Sequence, residues 1–392
     1  ASGVIEAALR ADLNALAPEA IAVAVRTDAR LDDLLATVFA DVPVELDDLE
    51  WIVETIPSPT LALTTTEIAI TRRICDLLPP DTDPAQRAEW SYRLATALTQ
   101  ADQYAEALEP ATEAVNLHRT LAQERPNAFL PDLAASLNDQ SICLAVLGRR
   151  EEALEAITEA VNLYRTLAQD QPNTFLPDVA LSLLNQSNCL SELGRREEAL
   201  KAITEAVHIR RTLAQDQPDA FLPGLALSLN NQSNCLAVLG RREEALEAIT
   251  EAVNLYRTLA QDQPNTFLPD VALSLLNQSN CLSELGRREE ALKAVTEAVA
   301  IRRTLAQEHP DVFLPDLVTS LTVMGETLLG LGQVGEATRS LVEGLTIATE
   351  REMADLRRVC ITLLQQARAH DADAFTSAWR QATGQEPPPR FQ

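Results

Sequence analysis

Glycine, aromatic residues and lysine are all scarce in this chain of 392 residues. It holds 12 glycines, 4% aromatic residues and only two lysines, Lys201 and Lys293. All-β folds lean on glycine turns and aromatic strands, so the first two shortages exclude them. No apolar run approaches the roughly 18 residues that a membrane span needs, and no signal-peptide pattern opens the chain. Basic residues number 32 against 58 acidic ones, for a net charge of −26. A field of that sign repels phosphate, which argues against nucleic acid and anionic membrane as partners. The hydrophobic fraction of 46% excludes wholesale disorder.

Catalytic signatures are missing too. There is no P-loop, GxGxxG, HExxH or GxSxG pattern, and no CxxC metal spacing. His118, His208, His309 and His370 stand away from any cysteine at ligand spacing. No enzyme activity, cofactor or metal is expected. Of the cysteines, Cys143, Cys189, Cys235 and Cys281 recur at one interval inside helical pattern. They read as small buried residues in a reducing, cytoplasmic compartment, not as a disulfide framework. The bias toward alanine and arginine is that of a GC-rich, bacterial genome.

What the chain does have is a repeat. Leu-Gly-Arg-Arg-Glu-Glu-Ala-Leu begins at Leu147, Leu193, Leu239 and Leu285, a period of 46. Phe129, Phe175, Phe221, Phe267 and Phe313 keep the same frame, as do Pro126, Pro172, Pro218, Pro264 and Pro310. Weaker copies flank the four at Asp102–Leu108 and Gly332–Ala337, giving six units, with a degenerate echo at Glu67–Arg73. The stretch from Cys143 to Ala202 is identical to that from Cys235 to Ala294, so a two-repeat block of 92 residues was duplicated. Stacked repeats contact only their neighbours, so gaining a block costs little structurally.

Each unit reads as two helices. From Pro177 to Leu193 the residues Ala180, Leu183, Leu190 and Leu193 share one face, with Pro177 suited to a first turn. Gly194 ends that helix. Glu197 and Glu198 open the second, which buries Ala199, Ile203, Ala206 and Val207 and fades before Pro218. Phe221 is expected in the connecting loop, plugging the seam between successive helix pairs. The predicted fold is all-α: an α-solenoid of stacked antiparallel helix pairs with helical caps at both ends.

The run Leu183…Ser187…Leu190…Gly194…Ala199…Ile203…Ala206…Pro218 resembles the tetratricopeptide repeat, and the longer unit is similar to kinesin-light-chain-like repeats that also read LGR-x-EEAL. The resemblance covers roughly residues 60–350. Two departures stand out: Gln140, Gln186, Gln232 and Gln278 replace the usual leucine, and leucine replaces the large aromatic at the fourth position. The resemblance implies binding of a protein or extended peptide in a concave groove lined by the first helices. The groove positions are then Asn138 and Asp139; Asn185 and Asn188; Asn230, Asn231 and Asn234; Asn277 and Asn280. An amide both donates and accepts, so such a ladder suits the backbone of an extended chain. With first helices about 10 Å apart and about 3.3 Å per extended residue, each repeat serves about three peptide residues. The alternative is that these amides bridge neighbouring helices and fix the stacking. The groove helices within 131–286 lack Lys and Arg, so the basic clamp for a terminal carboxylate is absent and an acidic tail is not expected as ligand.

The groove alternates, with Asn138 and Asn230 in one type of repeat and Leu184 and Leu276 in the other, which the block duplication alone explains. Tyr164 and Tyr256 alternate with Arg210 and Arg302 in the second helix and are expected to cover the outer seam. Pairs such as Arg149-Arg150 precede Glu-Glu at once, which makes a solvated, self-compensating turn rather than an anion site. Residues 1–56 carry twelve carboxylates against Arg10, Arg26 and Arg30 and form an acidic helical segment. Residues 57–86 hold a degenerate repeat helix, 87–350 the six repeats, and 351–392 the capping helices and tail. Trp379 is expected to cover the last repeat, and Pro387-Pro388-Pro389 to end the order. The start at Ala1 points to a piece of something longer, so two alternatives accompany peptide binding: the sensor segment of a larger signalling ATPase or protease, and a self-associating array forming a homo-oligomer.

Overall fold

The computed structural model describes residues 2–27, 31–56 and 63–391. The start of the expected degenerate repeat helix, residues 57–62, lies outside them. Nineteen α-helices and one short 3-10 turn, and no strand, occur among the described residues. They form two compact units, Ala1–Arg195 and Arg196–Gln392.

The first unit holds α1 (Ser2–Ala11), α2 (Leu13–Thr27), α3 (Asp32–Asp41), α4 (Leu46–Val53), α5 (Thr64–Leu77), α6 (Pro84–Gln100), α7 (Tyr104–Glu124), α8 (Pro126–Val146), α9 (Arg150–Asp170) and α10 (Pro172–Glu192). From α5 onward each helix packs on the one before it. The acidic leading segment is a genuine core, with Leu35, Val38, Phe39, Leu49 and Ile52 buried. Its carboxylates also cap: Asp32 accepts from the backbone N–H of Thr65 at 2.9 Å and of Thr66 at 2.7 Å, at the positive start of α5.

The second unit holds α11 (Arg196–Asp216), α12 (Pro218–Val238), α13 (Arg242–Asp262), α14 (Pro264–Glu284), α15 (Arg288–Glu308), α16 (Pro310–Gly330), α17 (Val334–Glu350), α18 (Ala354–His370) and α19 (Ala372–Thr383). Helices α11 to α18 again pack in chain order, so each unit is an α-solenoid of antiparallel pairs. The second helices bury a narrow stripe: in α13, Ala245, Ala248, Ile249, Ala252, Val253 and Tyr256 recur at helical spacing. Alanine on that stripe removes side-chain bulk and lets the helices approach closely.

Each pair turns on one residue in left-handed backbone. Gly148 has φ +78° and Gly240 φ +75°, and the N–H of Arg149 reaches back to the carbonyl of Leu144 at 2.9 Å, closing the helix end. Asp102, at φ +57°, holds this position in the divergent first pair.

Three expectations need correction. The first helices start at Pro172 and Pro218, not at Pro177, and Phe221 lies in the first turn of α12. Single residues such as Gln171 replace the expected loop. Pro172 costs nothing at the first position, whose N–H has no partner in any helix. Pro177 then forgoes one bond, to a carbonyl in the exposed opening turn of α10. Second, α16 is long and apolar enough, by length and composition, to cross a membrane; half of its apolar stretch is buried, and the helix packs against α15 and α17. Third, the prolines do not end the ordered chain. Phe391 is 2% exposed, its ring 5.1 Å from Trp379 and 6.1 Å from Phe375, which together close the second unit.

Candidate functional site

The departures from the usual repeat pattern are explained by pairing. The glutamine that replaces leucine in the first helix donates to a threonine of the preceding second helix: Gln140 to Thr112 at 3.0 Å, Gln186 to Thr158 at 2.9 Å, Gln232 to Thr204 at 3.0 Å and Gln278 to Thr250 at 2.9 Å. Each polar group at the seam therefore meets another. Along the same side of the second helices, arginines pair with glutamates forty residues on. The pairs are Arg119 with Glu159 at 2.7 Å, Arg211 with Glu251 at 2.7 Å, Arg257 with Glu297 at 2.7 Å and Arg303 with Glu343 at 2.6 Å.

The alternation of repeats also has a physical content. Tyr164, Arg210, Tyr256 and Arg302 do not cover an outer seam; they are 3–7% exposed. Arg210 donates to Ser228 and Arg302 to Ser320, both at 2.7 Å. Burial lowers the pKa of both guanidiniums. Where tyrosine replaces arginine, the matching serine turns to an asparagine of the preceding first helix. Ser182 donates to Asn138 at 3.3 Å, and Ser274 to Asn230 at 3.4 Å. Tyrosine thus goes with asparagine and arginine with leucine. His118 occupies the same position as the tyrosines and arginines and lies 2.9 Å from Ser136.

The nine polar groove residues fall into two sets. Asn138 and Asn230 are buried, and each also accepts from the next first helix, from Asn185 and Asn277 at 3.1 Å. Asp139 accepts from Thr96 at 2.9 Å, and burial raises its pKa. Asn231 donates to the carbonyl of Leu227 in its own helix at 3.1 Å. Asn188, Asn234 and Asn280 are exposed, and among the described residues they make no hydrogen bond. Seven residues before each stands an exposed leucine: Leu181 at 41%, Leu227 at 41% and Leu273 at 43%. Two turns of helix separate each leucine from its amide, so α10, α12 and α14 each offer an apolar contact and a solvent-facing amide on one stripe.

In the second unit this face opens into a cleft of about 460 Å3 between α14 and α16, lined by Asn280, Ser283, Glu284, Arg288, Glu326 and Thr327 among others. A larger cleft of about 820 Å3 lies on the opposite side, between α13 and α15 over Gln278. A smaller copy, about 310 Å3, lies between α7 and α9. Their floors are the Gln–Thr bonds, and most of their charges are already paired, as Arg287 is with Glu290 and Arg257 with Glu297. All six cysteines are free, and no cluster of metal-ligating side chains exists among the described residues.

A stacked array of such helix pairs is the architecture of repeat proteins that present an extended surface to a partner. A family model for the tetratricopeptide repeat matches residues 271–311. One for anaphase-promoting complex subunit 5 matches residues 132–174, 166–222 and 224–268. The repeats are of the tetratricopeptide type, a fold typical of protein-interaction scaffolds and generally non-catalytic. Among solved structures, BtubC (BKLC) from P. vanneervenii is 17% identical with a TM-score of 0.53, over 64% of this chain and 92% of that one. A signal transduction ATPase with numerous domains and a tetratricopeptide repeat sensor, from Pyrococcus horikoshii, is 13% identical with a TM-score of 0.55, over 91% of this chain and 50% of that one. A Podosopora anserina kinesin light chain of nearly identical repeats is 20% identical with a TM-score of 0.45, over 58% of this chain and 99% of that one. The first two of these structures show likeness of fold alone. No curated protein sequence matches the chain.

Proposed function

We propose that this chain is a protein-binding scaffold whose first-helix face holds an extended polypeptide, with no chemistry of its own. The observation that carries this is the exposed stripe of leucine and unpaired amide on successive first helices, Leu227 with Asn234 and Leu273 with Asn280. An unpaired amide stays hydrated until a partner backbone replaces the water, while the leucine contributes contact area that does not depend on ligand sequence. The second-helix side offers the larger cleft but few unpaired groups. The six free thiols fit a reducing, cytoplasmic location.

The test is a selection of random displayed octapeptides on the whole chain, followed by replacement of Asn188, Asn234 and Asn280 together by alanine. At least tenfold weaker capture, with the helical spectrum unchanged, is the expected result; unchanged affinity removes the amides from the mechanism. A second reading, the sensor segment of a larger signalling ATPase, draws support from the fold shared with the Pyrococcus horikoshii structure. Sequencing the gene upstream of residue 1 tests it, and a start codon there with no preceding domain defeats it.

A further inference from the structure

The repeats serve as controls for one another at the edge of the first-helix face. Near the start of α9, Arg150 pairs through Nε with Oε2 of Glu192 at 3.1 Å, forty-two residues on. Arg242 pairs with Glu284 in the same way, again at 3.1 Å. Arg288 opens α15 in the equivalent position, but forty-two residues on stands Gly330. The guanidinium lies against the bare glycine: a Cβ built there would stand 3.1 Å from Arg288 Nε. Among the described residues Arg288 makes no hydrogen bond or ion pair. Arg196 likewise meets Val238 in the pattern, but only Arg288 lines the cleft between α14 and α16.

That cleft supplies more than one donor. The Asn280 amide and the Ser283 hydroxyl also line it, and neither has a partner among the described residues. Of its two carboxylates, Glu284 is already neutralised by Arg242, which leaves Glu326 as the opposing charge. Guanidinium, amide and hydroxyl lining one cleft are the kinds of donor a carboxylate accepts from. A bound carboxylate would stand in for the glutamate side chain that the other repeats carry.

We propose that the α14–α16 cleft binds the side chain of an aspartate or glutamate in a partner polypeptide, with Arg288 as its ionic contact and Asn280 and Ser283 as further donors. This rests on the first-helix face being the peptide-binding face and adds what that face selects. The groove helices lack basic residues, but the following second helix lends one. The site therefore discriminates at one register of the ligand, while the leucines and the other amides are indifferent to sequence.

The experiment is the same octapeptide selection on the full chain, run on wild type and on the variants R288A, G330E and E326Q, with peptide C-termini either free or amidated. G330E retains the arginine and supplies the carboxylate in cis, as Glu192 and Glu284 do, so it blocks the site without removing a donor. Expected for wild type is enrichment of Asp or Glu at one position whether or not the C-terminus is amidated. That enrichment should vanish in R288A and in G330E, and an acidic peptide should lose about tenfold in affinity, equivalent to about 1.4 kcal/mol. E326Q should bind the same peptide more tightly. Selection of peptides without an acidic preference, or an unchanged preference in G330E, overturns this inference and leaves the peptide-binding face standing. Acidic enrichment confined to free C-termini overturns the side-chain assignment in favour of a terminal carboxylate. If no peptide is captured at all, both readings fall.

Discussion

Asn230 and Asn234 lie one turn apart in α12, yet they are expected to differ sharply when replaced. Asn230 is 7% exposed, and its Oδ1 accepts from Ser274, which is 1% exposed, and from Asn277 of α14. Leucine at position 230 fits the packing, because Leu276 fills the equivalent site in the next repeat. It leaves the Ser274 hydroxyl without an acceptor, and an unsatisfied buried donor costs about 1–3 kcal/mol. The half-buried Asn277 amide reaches water and adds little. Removing both buried partners in Asn230→Leu/Ser274→Ala avoids the penalty, so the double variant should recover at least about 1 kcal/mol of the summed single costs. Asn234→Ala exposes nothing and should change stability by less than about 0.5 kcal/mol. Repeat arrays open locally, so the suitable assay is hydrogen exchange of the amides of α12 and α14, read as local opening free energy. Additive single costs, or an Asn234→Ala cost equal to that of Asn230→Leu, would refute the division of the asparagines into bridging and free sets.

The coupling of tyrosine with asparagine and of arginine with leucine predicts that Arg302→Tyr lowers the thermal midpoint, and that adding Leu276→Asn restores part of it by giving Ser320 an acceptor. For Asp139 the sign is definite. Burial raises its folded-state pKa above the ordinary aspartate value of 3.8, so its contribution to stability is fully present below that value and is lost as pH rises through the folded pKa. Asp139→Asn, which still accepts from Thr96, should therefore be more stable than wild type at pH 7, with the difference closing as pH falls toward 3.8; a stability loss at pH 7 contradicts the burial argument. Arg257→Ala removes one exposed rung of the arginine–glutamate ladder and should cost less than about 1 kcal/mol at low salt. In about 1 M salt, where screening acts within about 3 Å, chemical denaturation should show almost no difference.

The repeat, its helix pairs and its turn glycines were legible in the sequence because each is a local rule: apolar spacing, positive φ at glycine, charge at a helix start. Helix starts were misplaced because Pro172 and Pro177 both satisfy a first-turn rule, and only the exposed opening turn of α10 decides between them. The candidate site was half legible. The spacing of the asparagines put them on the first helices, but whether an amide faces a neighbour or solvent depends on what stands forty-odd residues away. Asn138 and Asn234 look alike in sequence; Ser182 and Asn185 engage the first, and nothing among the described residues engages the second. The pairing of Gln140 with Thr112, the arginine ladder and the missing partner of Arg288 are all relations between repeats, visible only once the register of packing is known.

The central claim is that the stripe carrying Asn234 and Asn280 receives the guest, while the cleft over Gln278 on the opposite side stays vacant. Photo-cross-linking of a selected octapeptide tests it directly, with a benzophenone amino acid placed at position 234 in one variant and at position 247, in the opposite cleft, in another. Cross-linking from position 234 and none from position 247 is the predicted result; capture from position 247 alone would contradict it.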